Sequence, residues 1–215
     1  MTELSPSILA IMYFGDVVFA VSGALTAGKN RMDVLGFVLI GTITGIGGGT
    51  TRDLLLGRTV WWTQNPEELI LCFVAALITF FFVRETADQS RWMIWSDALG
   101  LASFGLVGCH VALEFGAPFL IAVFMGMVTA TGGGVIRDTI TNQRPMIMCG
   151  QLYATAALTG ALVYGVLVHY LGAHEIVAEV AGFGTAFALR AAAIIFDIRM
   201  GPPGEFIKIG KRTGN

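Results

Sequence analysis

The sequence predicts an all-α membrane protein of seven transmembrane helices, built as two inverted three-helix repeats plus a seventh helix. Three observations predict it. Hydrophobic residues make up 55% of the 215 and charged residues only 13%, against roughly 25% charged in a soluble domain. Seven apolar stretches are long enough to span a bilayer. A seven-residue pattern, GGGxxRD, occurs twice, in corresponding stretches. The composition also excludes other classes. With 13 Lys+Arg against 15 Asp+Glu, the net charge of −2 leaves no basic excess for nucleic acid, and the hydrophobicity excludes disorder.

A spanning helix needs about 20 mainly apolar residues, and the stretches fall at 7–28, 34–57, 67–84, 92–113, 117–142, 149–171 and 175–197. They leave short loops and a polar tail, 198–215, in which Pro202 and Pro203 close off the last helix. The remainder holds no soluble domain, so 1–215 reads as a single transmembrane domain. The stretches are far longer than the ten-residue alternating strands of a membrane barrel, and lipid demands that their backbone groups pair internally. Glu3 precedes the first stretch without a Lys or Arg, and Asp16 interrupts it, so no cleavable signal peptide is expected there.

Orientation follows from the basic residues outside the spans. Lys29, Arg31, Arg84, Arg91, Arg144, Arg199, Lys208, Lys211 and Arg212 fall on one side and Arg58 on the other. This places the N-terminus outside and the C-terminus in the cytoplasm. Trp61, Trp62, Trp92 and Trp95 flank spans as an interfacial belt.

Gly47-Gly48-Gly49-Thr50-Thr51-Arg52-Asp53 is echoed by Gly132-Gly133-Gly134-Val135-Ile136-Arg137-Asp138 at an offset of 85, and Asp16 with Ser22 by Asp97 with Ser103 at an offset of 81. A four-residue insertion therefore lies between the first and second helices of the second copy. The first repeat covers about 7–84 and the second about 92–171. With an odd number of spans each, they enter the membrane in opposite senses, the plan of many transport proteins whose site lies near the midplane.

Glycine, at 28 residues, is in excess for a lipid-facing composition. Gly41, Gly45 and Gly49 stand four apart, as do Gly126, Ala130 and Gly134, a spacing that suits close helix approach. That spacing does not account for Gly47 and Gly48, or Gly132 and Gly133. Each interior glycine costs roughly 0.8–1 kcal/mol relative to alanine, so the triplets predict a kink or break whose freed carbonyls face a cation.

Charges within spans are costly enough to mark pathways, relays or paired structural sites. Here they are Asp16, Arg52, Asp53, Asp97, Arg137, Asp138 and Arg190. Adjacent residues on a helix do not face each other, so pairing is expected across the pseudo-two-fold axis, Arg52 with Asp138 and Arg137 with Asp53. Asp16 and Asp97, with Ser22 and Ser103, either bond a neighbouring helix or face a pathway. His110, His169 and His174 lie near span ends and read as interfacial, and Met146 and Met148 as packing residues. Cys72, Cys109 and Cys149 sit in apolar runs with no metal or disulfide spacing. No HExxH, nucleophile elbow or Walker loop is present, so neither an enzyme nor a cofactor is expected.

Seven spans, inverted repeats and GGGxxRD in the second and fifth helices resemble the prokaryotic TRIC family, the trimeric intracellular cation channels, over about residues 7–197. The resemblance implies a homotrimer with one pore per protomer, lined by helices two and five kinked at Gly47–Gly49 and Gly132–Gly134. It further implies a constriction by Arg52, Asp53, Arg137 and Asp138, and K⁺, with Na⁺, as transient permeant ions. Animal members carry a lysine-containing lipid-linked motif where this chain has arginine beside aspartate, so phosphoinositide binding is not implied, and a bacterial plasma membrane is the natural setting. Inverted repeats equally suit a secondary transporter of a small amino acid such as glycine, with Arg52 or Arg137 binding a carboxylate and Asp16 or Asp97 an amine. A passive membrane scaffold would show neither flux.

Overall fold

The computed structural model describes residues 4–82, 89–199 and the backbone of 208–209. Among them are seven α-helices: α1 (Pro6–Lys29), α2 (Val34–Leu55), α3 (Pro66–Phe82), α4 (Gln89–Glu114), α5 (Phe119–Ile140), α6 (Ala154–His169) and α7 (Glu175–Ile195). A 3₁₀ turn, Trp61–Thr63, precedes α3, and another, Met146–Met148, precedes α6. Beyond α7, β1 (Ile198–Arg199) pairs antiparallel with β2 (Lys208–Ile209). Arg84, Lys211 and Arg212, used above for orientation, and Pro202 and Pro203 lie outside the described residues.

The helix ends follow local chemistry. Pro6 opens α1, where its missing N–H is no loss. Asp33 caps α2 by accepting from the Gly36 N–H at 2.9 Å. The α6 span is shorter than expected: 149–153 is not helical, and the helix has 16 residues, about 24 Å at 1.5 Å per residue.

The repeat reaches the turns. After α1 and α4, Arg31 and Gly116 both take positive φ; after α2 and α5, Gly57 (φ 68°) and Asn142 (φ 52°) do the same. Since Arg31 and Gly116 already stand 85 apart, the four inserted residues do not lengthen a loop. They add about one turn to the end of α4.

The first helices of the two repeats, α1 and α4, pack together. Phe19 stacks on Phe104 with ring centroids 5.4 Å apart. α4 also meets α5, α6 and α7 and is buried along most of its length. Outward faces carry Leu35, Leu39, Ile70, Phe81, Val177 and Val180 exposed, as lipid requires and water would not tolerate in such number.

The second helices, α2 and α5, cross at the glycine triplets. A methyl added to Gly48 would collide with the Thr129 carbonyl, and one added to Gly133 with the Thr44 carbonyl, each contact the mirror of the other. An added Cβ at Gly132 would lie 3.2 Å from the Gly48 Cα. The expected break is not there: both helices run unbroken through their triplets. The residues that four-residue spacing left unexplained are those that bring two backbones into contact. In lipid, where apolar side chains give helices no reason to associate, such close approach is a main source of attraction.

Candidate functional site

Two clusters of buried charge flank this crossing, one at the C-terminal end of α2 and one at the C-terminal end of α5. In both, arginine bonds the aspartate that follows it in sequence. Arg52 Nη2 lies 2.8 Å and Nε 2.9 Å from Asp53 Oδ1; Arg137 Nε donates to Asp138 Oδ1 at 2.8 Å. The pairing expected across the axis, Arg52 with Asp138 and Arg137 with Asp53, is therefore overturned. Facing rules describe where Cβ atoms sit, whereas a guanidinium on a three-carbon stem can curl to its neighbour when that neighbour's carboxylate is held. Both carboxylates are held. Asp53 Oδ2 accepts from the Trp61 N–H and Asp138 Oδ2 from the Met146 N–H, each at 3.0 Å and each eight residues on. The aspartates thus pin the 3₁₀ turns that lead into α3 and α6.

Beyond this shared clamp the clusters diverge. In the second, Arg137 also donates from Nη1 to Asp97 Oδ1 and to Ser22 Oγ, both at 2.7 Å. Arg137 and Asp97 are each 0% exposed. Ser22 comes from the other repeat, so the link across the axis runs through a hydroxyl rather than a carboxylate. α7, outside the repeat, supplies Arg190, which donates to Gln151 Oε1 at 2.9 Å and lies 5.1 Å from the Tyr153 ring centroid. Asp97, Arg137, Tyr153 and Arg190 are all buried, and Asp97 Oδ2, Arg137 Nη2, the Tyr153 hydroxyl and Arg190 Nε have no hydrogen-bond partner.

In the first cluster, Asp16 forms no matching bond to Arg52, and Ser103 Oγ donates instead to the Leu99 carbonyl at 3.0 Å. Asp16 is 2% exposed and its Oδ2 has no hydrogen-bond partner. Glu68, from the first turn of α3, is buried beside it. Asp16 and Glu68 repel each other, and Arg52 attracts both. A cavity of about 10 Å³ lies among Asp16, Arg52, Asp53, Glu68, Trp61 and Trp62. Trp61 also lines a wider vestibule of about 380 Å³ on the side of Arg58, Gln64 and Glu114.

The remaining expectations resolve individually. His110, four residues before the end of α4, is buried among helices, with Nδ1 2.7 Å from the Tyr164 hydroxyl. His169, in the last turn of α6, stacks on Phe119, and His174 precedes α7. Trp62 Nε1 donates to Thr50 Oγ1 at 2.9 Å, and Trp92 is exposed. Met146 Sδ packs 3.9 Å from Arg190 Nη2. Cys72 and Cys109 are free and buried, Cys149 free and exposed. Glu68, Tyr153 and Gln151 were not anticipated, and Trp61 only as a belt residue. An acid at the start of a span was the available signal for Glu68, and the 85-residue offset that maps it onto Tyr153 was the signal for both.

Fold and site together define a multi-pass membrane protein with ionisable groups buried where two inverted repeats meet. A family model described as glycine transporter matches the chain twice, over 9–84 and 94–169. The inner membrane protein YadS of Escherichia coli K12 is 37% identical over 188 residues, 86% of this chain and 91% of that protein. Among solved structures, the TRIC trimeric intracellular cation channel orthologue from Rhodobacter sphaeroides is 42% identical with a TM-score of 0.86, covering 89% of this chain and 98% of that one. A prokaryotic TRIC channel crystallised in 0.5 M KCl is 29% identical with a TM-score of 0.84, over 90% and 98% of the two chains. The chain belongs to the prokaryotic TRIC family, to which the glycine transporter model also answers.

Proposed function

We propose that the protein is a channel for monovalent cations, K⁺ and also Na⁺, with one pathway in each protomer of a homotrimer in a bacterial inner membrane. The observation that carries this reading is the paired arrangement of buried Arg–Asp clusters on α2 and α5, one on each side of the glycine crossing. Charge at membrane depth is retained where it serves a pathway. The two clusters bracket the crossing from opposite ends, so an ion moving along α2 and α5 meets both. Arg52, Asp53, Arg137 and Asp138 form its two constrictions, and Asp16, Ser22, Asp97, Ser103 and Arg190 stand beside them. Gly47–Gly49 and Gly132–Gly134 line the closed middle, where separation of α2 from α5 opens the path. The likeness to solved TRIC channels supports the same reading. With the N-terminus outside and the C-terminus cytoplasmic, the vestibule faces out and the second cluster faces in.

The experiment is flux through purified protein. Stepwise single-channel K⁺ and Na⁺ currents in planar bilayers are expected. A second reading, a transporter of a small amino acid, draws on the vestibule, which places Arg58 and Glu114 on its walls. Saturable glycine uptake into liposomes without current steps would favour it and overturn the channel.

A further inference from the structure

We propose that the small cavity of the first repeat is a binding site for a single, largely dehydrated monovalent cation, entered from the vestibule past Trp61. The inference rests on the conduction reading above and names where its ion is held. The first cluster gathers three acids, Asp16, Asp53 and Glu68, around two cations, Arg52 and Arg58. Asp53 is committed: Oδ1 takes Arg52 at 2.8 Å and Arg58 at 3.5 Å, and Oδ2 takes the Trp61 N–H. Asp16 and Glu68 are left to share the outer field of Arg52, and Asp16 Oδ2, like Asp97 Oδ2 in the second repeat, has no hydrogen-bond partner, but only Asp16 borders a cavity with a second acid.

The second cluster serves as the internal control. At the position of Glu68 it has Tyr153, which carries no charge, and α7 adds Arg190. Asp97 and Asp138 then balance Arg137 and Arg190. Two sequence differences, Glu68 against Tyr153 and Arg58 against Gln143, and one extra helix therefore leave the second cluster neutral and the first with one acid in excess. An uncompensated buried charge is expensive, and a proton taken up by Asp16 or Glu68, or a cation of unit charge, removes that cost. The room is right for one: a site of about 10 Å³ holds a single water-sized sphere. Trp61 borders both spaces, with its backbone tied to Asp53 and its indole Nε1 unpartnered. Its ring is the partition between vestibule and site.

The test is cation titration of purified protein, read by tryptophan fluorescence in a Trp92→Phe/Trp95→Phe background, so that the signal comes from the two cavity-lining indoles. KCl replaces choline chloride at constant ionic strength. A saturable spectral change with K⁺ and none with choline is expected, and Glu68→Gln and Asp16→Asn should each raise the midpoint by about tenfold or more, the factor for one lost interaction of 1.4 kcal/mol. No saturable change in the parent, or unchanged midpoints in both variants, overturns the site. Should neither variant fold, melting of the parent decides it: K⁺ raises Tm over choline if the site exists and leaves it level if not. Currents without saturable binding would retain the channel and reject the site; saturable binding without currents would do the reverse.

Discussion

The two repeats close the same Arg–Asp clamp on their second helices and set an aspartate beside it on their first, yet in one the arginine also bonds that aspartate and in the other the aspartate borders a cavity. In the second repeat Arg137 reaches Asp97, Asp138 and Ser22 together. In the first, Arg52 reaches Asp53 alone among the equivalent groups. The difference lies in what surrounds the repeat. Tyr153 and Arg190 close the second cluster with an aromatic ring and a stacked guanidinium, whereas Glu68 puts a second acid beside Asp16 and keeps the first cluster from collapsing into neutral pairs. Duplicated sequence thus produces two half-sites with different partners, one bonded across to Ser22 of the other repeat and one bordering a cavity.

The largest effect expected from breaking this contrast is in the second repeat. Arg137→Met leaves Asp97 and Asp138 buried without their cationic partner, a loss of about 3–5 kcal/mol. Thermal unfolding in detergent should show it, with a smaller drop for Arg52→Met, whose Asp53 keeps Arg58. Equal drops would mean that the two arginines carry the same share of their clusters. The glycine crossing should behave symmetrically instead. Gly48→Ala and Gly133→Ala each press a methyl into a carbonyl and should cost about 1–3 kcal/mol apiece, and clearly unequal melting shifts would break the two-fold equivalence. Next, Glu68→Tyr makes the first cluster resemble the second and should lower K⁺ conductance several-fold without lowering Tm, measured on single channels. Trp61→Ala should raise open probability while leaving Tm within a few degrees. The smallest effect is expected at His110→Phe, which leaves the Tyr164 hydroxyl without its partner at about 1 kcal/mol and, since His110 bonds Tyr164 rather than a member of either cluster, should leave conductance unchanged.

Much of the fold was legible in the sequence because lipid imposes a simple length rule and because a doubled motif reports its own symmetry. The short α6 was not, since residues 149–153 are apolar enough to continue a helix and only the Asp138 clamp on Met146 starts the turn ahead of them. The buried charges were legible one by one, from their position inside spans. Their partners were not. Cβ directions predicted pairing between repeats, and side-chain reach together with anchored carboxylates produced pairing within each. Glu68 was hidden by its place at a span boundary, where an acid ordinarily faces water.

By itself, then, the sequence determined that the chain crosses a membrane seven times, that its halves are inverted copies, and that charge is buried in both. These follow from local hydropathy and from identity at a fixed offset, which need no third dimension. The tertiary structure alone decided what the glycine triplets do, which charges pair, and which cluster stays open. Each of these depends on the distance between groups far apart in the chain. Two backbones in contact at Gly48 and Gly133, and one guanidinium brought in by α7, are facts of packing that no run of residues encodes on its own.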